Sequence, residues 1–68
     1  MSESLGEVLP KELARVRQVL AIYNELGPAG AFGAMVIEDS LNAADKAIIS
    51  GDIVAMIAAY EDLKTIKE

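Results

Sequence analysis

Hydrophobic positions along this chain recur at helical spacing in three runs, and two glycine-containing breaks separate the runs. In the first, Leu9, Leu13, Val16, Leu20 and Tyr23 share one stripe, flanked by Val19 and Leu26, while Lys11, Glu12, Gln18 and Glu25 take the remaining surface. A one-sided pattern of period 3.6 predicts an amphipathic helix over 10–26. Pro10 suits the first helical position, where its missing N–H would have had no intrahelical partner. Gly27 suits the left-handed residue that ends a helix, and Pro28 bars continuation. Residues 1–8 are polar, and although Ser4 and Glu7 have the spacing of a capping box, the segment is expected to be a flexible tail ahead of a single helical domain over 9–68.

The second run predicts a helix over 29–50 with Gly51 at its end. At 100° per residue, Gly30, Gly33, Ala34, Ile37, Leu41, Ala44 and Ile48 share one face, and Phe32, Val36, Ala43 and Ala47 fall on an adjoining one. The apolar arc of roughly 200° exceeds the ~100° stripe of a surface helix, so this helix should be covered on two sides. The third run predicts a helix over 53–66, with Asp52 as N-cap and Ile53, Met56, Ile57, Tyr60 and Leu63 as its core stripe. Lys64 and Lys67 near its end complement the helix dipole. Links this short make consecutive helices antiparallel or sharply angled neighbours. The predicted fold is all-α: a three-helix bundle with antiparallel neighbours and the central helix packed on both sides.

A chain of 68 residues can build only one small core, and domains of this size usually add disulfides, metal or self-association. The chain has no Cys and no His, which argues against the first two. Hydrophobic residues make up 53% of it, with mean hydropathy +0.32, so a homo-oligomer, dimer or higher, is the expected outlet for surplus apolar surface. A net charge of −5 and a pI near 4.5 argue against direct contact with nucleic acid or an anionic membrane. Leu26 to Ile37, the longest uncharged stretch, falls short of the roughly 20 residues of a membrane span. No secretory signal pattern opens the sequence, and a cytoplasmic setting is expected.

Gly27 to Ile37 is the most unusual segment, opening a helix with small side chains and then running on without a charge. A glycine inside a helix costs about 0.5–1 kcal/mol against alanine, so Gly30 and Gly33 imply a close backbone approach. One reading places Gly30, Phe32, Gly33, Ala34, Met35, Val36 and Ile37 in a subunit interface, which Gly33→Leu should then disrupt. The other is close packing inside the monomer. Glu38, Asp39, Asp45, Glu61 and Asp62 are read as an acidic patch that steers a basic protein.

Chemistry-bearing groups are sparse. Asp39-Ser40-Leu41 is similar to the motif on which acyl and peptidyl carrier proteins bear phosphopantetheine, which would make Ser40 the modified residue. In those proteins the serine opens a helix, whereas here the helical pattern runs straight through it, and a packed Ser40 bonded to the carbonyl of Val36 fits better. Glu38, Asn42 and Asp45 lie at i, i+4 and i+7, and a solvated helix face explains them better than a cation site. Arg15 lies within i, i+3 reach of Glu12, and Arg17 lies on the opposite flank. Either arginine is a candidate for binding a phosphate or carboxylate. Tyr23 and Tyr60 sit on core stripes. A helix-turn-helix made of the last two helices would read DNA with Glu61 and Asp62 and no basic residue before Lys64, which argues against it. Without His or Cys, no catalytic arrangement is recognisable; no cofactor is expected, and the chain is read as non-enzymatic.

Leu9-Pro10-Lys11-Glu12-Leu13-Ala14, Gly27-Pro28-Ala29-Gly30-Ala31-Phe32-Gly33-Ala34, and Gly51-Asp52-Ile53-Val54-Ala55-Met56 with Tyr60-Glu61-Asp62-Leu63-Lys64 together resemble short uncharacterised helical proteins of bacterial phages and prophages. That resemblance implies a bacterial or phage setting and no established activity. The sequence therefore points to a small protein-interaction module, self-associating or bound to a host or phage protein. An acidic anti-host protein or nucleic-acid mimic is a variant of the same reading.

Overall fold

A computed structural model describes residues 4–67. Three helices fold around one core: α1 (Leu5–Glu25), α2 (Ala31–Ser50) and α3 (Ile53–Lys64). Leu9, Val16 and Leu63 are fully buried at its centre, joined by Leu13, Val19, Ile37 and Leu41. Every pair of helices is in contact, so α2 does pack on both α1 and α3. The side-chain pairings fix the directions. Arg17 meets Asp45 and Tyr23 lies on Gly33, which makes α1 and α2 antiparallel. Met56 lies beside Leu9 while Leu63 and Ile66 lie beside Arg15, so α3 runs parallel to α1.

The first helix begins earlier than its sequence pattern indicates. Ser4 has an extended backbone, and its carbonyl accepts from the amides of Glu7 and Val8, both at 2.9 Å. Its hydroxyl donates to Glu7 Oε1 at 3.2 Å. Residues 5–8 are thus helical rather than a tail, and Pro10 lies inside α1 rather than at its start; residues 1–3 of the expected tail lie outside the described residues. Leu5 packs against the core that fully buries Leu9, and that burial offsets the bond to the Gly6 carbonyl that proline cannot make.

At the first link, Gly27 takes φ 64°, the left-handed conformation that glycine enters without strain. A 3₁₀ turn over Gly27–Gly30 follows, so α2 starts at Ala31, two residues later than the pattern indicates. Gly51 (φ 70°) ends α2, and Asp52 caps α3 by accepting from the amides of Val54 at 3.0 Å and Ala55 at 3.3 Å. Both of these match the expectation for that turn.

The buried stripe of α3 departs from the expected one. Ala59 and Leu63 are buried, and Ala55, Met56 and Tyr60 partly so, whereas Ile53 and Ile57 face outward at 59% and 49% exposure. Alanines line the approach of α3 to α2, with Ala47 on one side and Ala55 and Ala59 on the other. Small side chains let two helix backbones come close, which turns the bulkier isoleucines away. Among the described residues no helix is long and apolar enough to cross a membrane.

Candidate interaction surface

Arg15 is a structural residue. Its Nε and one terminal nitrogen donate to the two oxygens of Glu12 at 2.9 and 3.0 Å, the i, i+3 pairing expected from the sequence. It also reaches across to α3, donating to the carbonyls of Ile66 at 2.8 Å and Leu63 at 2.9 Å. Arg15 thereby ties the last turn of α3 and the residues just after it to α1, adding a second donor to the Leu63 carbonyl, which also accepts from the Ile66 amide at 3.1 Å, while its charge sits at the negative end of the α3 dipole. The guanidinium holds the Glu12 carboxyl below its usual 4.5, against the opposing effect of burial. Arg17 pairs with Asp45 at 3.5 Å.

Because Arg15 fixes the end of α3 partway along α1, the far end of the bundle has only two helices. There α1 and α2 leave a shallow groove lined by Tyr23, Phe32, Gly33, Val36, Ile37 and Ile66. Phe32 is 75% exposed, and Met35, Val36, Ile22 and Leu26 are exposed around it.

The seven residues read as an interface divide into two groups. Gly30 is buried with its α-carbon against the Tyr23 carbonyl, where a Cβ would overlap that oxygen. At Gly33 a Cβ would come within 2.5 Å of the Tyr23 ring. Ala34 and Ile37 are buried in the core. These four serve contact inside the chain, and Gly33→Leu would strike Tyr23 before it met any second copy. Phe32, Met35 and Val36 are the ones left facing out.

A second apolar region lies at the α2–α3 corner, where Ile49 is 85% exposed, Val54 77% and Ile53 59%. Sequence reasoning missed it by assigning Ile53 and Ile57 to the core; the alanine-rich face of α3 was the available signal. Between α2 and α3 runs an open groove of about 550 Å³ whose floor is Ala43, Ala47, Ala55, Ala58 and Ala59, with Lys46, Ser50 and Asp62 at its rim.

The expected acidic patch is not gathered in one place. Glu38 and Asp45 share the α1–α2 seam with Arg17, Asp62 edges the α2–α3 groove, Glu61 is turned to Lys64 at 3.9 Å, and Asp39 stands on the outer face of α2. Ser40 lies half-exposed in the middle of α2, and a bond from it to the Val36 carbonyl is not among the hydrogen bonds of the described residues. Tyr60 is half-buried under Lys64, whose ammonium sits 5.2 Å from the ring centre. No group of three or more carboxylates among the described residues is arranged to hold a metal ion.

No family model, curated protein or solved structure matches this chain.

Proposed function

We propose that this chain is a small, non-enzymatic protein-interaction module that works as a homo-oligomer. The observation that carries this reading is the outward placement of large apolar side chains, Phe32 and Val54 foremost, on a chain whose core is otherwise complete. Two bulk properties agree with it. The accessible surface of 4596 Å² exceeds the roughly 4100 Å² expected for a folded chain of 7.2 kDa. The radius of gyration, 12.4 Å, exceeds the roughly 11 Å of a compact domain of 68 residues. Association would cover the surplus.

The side chains best able to do chemistry have structural work: Arg15 and Glu12 are tied to the end of α3, and Tyr23 is tied to Gly33. The α2–α3 groove is floored with alanine. A cytoplasmic, phage- or prophage-type setting accords with the sequence resemblance and with the acidic charge. Small-angle X-ray scattering tests the reading. It predicts a radius of gyration well above 12.4 Å at high concentration, falling toward that value in Phe32→Glu. A value near 12.4 Å at every concentration would refute self-association.

A further inference from the structure

Along its exposed edge beside the α2–α3 groove, α2 carries a second periodic stripe besides the one buried in the core. Phe32, Val36, Asp39, Ala43, Lys46 and Ser50 follow one another at alternating separations of four and three residues, and all six are exposed. That spacing keeps one seam of a helix facing a partner helix along its length. The seam is apolar at its start, small at Ala43, and bears opposite charges at Asp39 and Lys46. Neither charge has an ion pair among the described residues.

We propose that two copies of this chain pack α2 against α2, antiparallel, about a two-fold axis near Ala43, so that Asp39 of each copy pairs with Lys46 of the other. This rests on the self-association reading above and names its geometry. Ala43 at the axis permits close approach of the two backbones. Phe32 lies about 16 Å before Ala43 at the 1.5 Å rise per residue of a helix, so in an antiparallel partner it falls just beyond the end of α2. That is the position of Ile53 and Val54, next to Ser50 and the alanine groove. One arrangement thus brings the exposed start of each α2 to Val54 at the α2–α3 corner of the other copy. The interface is isologous and closes at two copies. A standard interface takes about 800 Å² per partner, roughly a sixth of the 4596 Å² this chain exposes.

The charge pair makes the arrangement testable. Asp39→Lys lowers the net negative charge, so general repulsion between acidic copies would tighten association in that variant. The two-fold pairing predicts the opposite: sedimentation equilibrium should show weakening of about tenfold for Asp39→Lys and again for Lys46→Asp, from two lost pairs per dimer. The double variant Asp39→Lys with Lys46→Asp restores the pairs and should recover the parent's affinity to within about threefold. The sequence has no cysteine, so Ala43→Cys supplies a single thiol near the axis that should cross-link copies on mild oxidation, whereas Gln18→Cys on α1 should not.

A parent chain that dimerises while the reversals show no rescue, or while Gln18→Cys cross-links in preference to Ala43→Cys, would overturn this geometry and leave self-association standing. Growth beyond two copies would likewise overturn a closed two-fold. A parent that stays monomeric would overturn both proposals.

Discussion

Gly33 of α2 lies directly beneath the ring of Tyr23 of α1, so close that a Cβ at position 33 would come within 2.5 Å of the tyrosine Cε2. The contact joins the two helices beyond the last turn of α3, beside Ile66. Gly30 makes an even closer approach, one turn earlier, to the Tyr23 backbone. A carbonyl oxygen held in α1 cannot yield, whereas an aromatic ring at the edge of a groove can turn. Gly30→Ala should therefore destabilise the fold by about 2–3 kcal/mol, within the range for overpacking. Gly33→Ala should cost less, about 1 kcal/mol, since part of the clash is offset by the better helix propensity of alanine. Urea denaturation of the two variants checks the order.

Arg15 spans α1 and the end of α3, and its removal leaves the carbonyls of Leu63 and Ile66 without that donor and Glu12 without its cation. Arg15→Met should lower stability by about 1–3 kcal/mol, the range for charge-assisted hydrogen bonds at a partly exposed site. Hydrogen exchange should show the loss concentrated in the last turn of α3, with the centre of α2 affected only through global unfolding.

The same pair sets a pH dependence. The folded-state pKa of Glu12 lies below the usual 4.5, mainly through its hydrogen bond with Arg15, so the unfolded chain binds its proton first as pH falls. The stabilisation is fully present above 4.5 and is lost as pH falls from there through the lowered folded value. Glu12→Gln should be less stable than the parent at neutral pH, and the gap should close in acid. Chemical denaturation from pH 7 to pH 3 measures it.

Asp52 accepts from two amides at the start of α3, and that cap sits beside the exposed Ile49, Ile53 and Val54. Asp52→Ala should cost about 1 kcal/mol. Asp52→Asn, which keeps an acceptor oxygen, should recover most of the loss in thermal melts.

How far the sequence led depended on which kind of contact was being read. Leu9, Leu13 and Val16 recur at helical spacing and are buried accordingly, and Gly51-Asp52 marks its turn and cap because both residues act locally. Leu5 was not legible as the helix start, since Pro10 gives a strong local signal while the burial that overrides it comes from other helices. The roles of Gly30 and Gly33 were ambiguous for the same reason: a small residue states that something comes close without naming it, and here it is Tyr23. Ile53 and Ile57 were misplaced because hydrophobicity weights isoleucine above alanine, while the close packing of α3 on α2 selects for small size.

The surface around Phe32 separates self-association from mere apolar exposure. At 75% exposure, Phe32 can be replaced by Glu with little change in monomer stability, within about 0.5 kcal/mol. If this stripe of α2 is the contact, that one change should weaken association by tenfold or more, since the two-fold loses an aromatic anchor at both ends of the interface and gains a buried charge there. Circular dichroism of Phe32→Glu should show helicity equal to the parent's.

The most direct measurement is sedimentation equilibrium of the unaltered chain over a wide concentration range. The account predicts a concentration-dependent mass that rises from 7.2 kDa and levels at twice that value. A mass of 7.2 kDa at every concentration would contradict it.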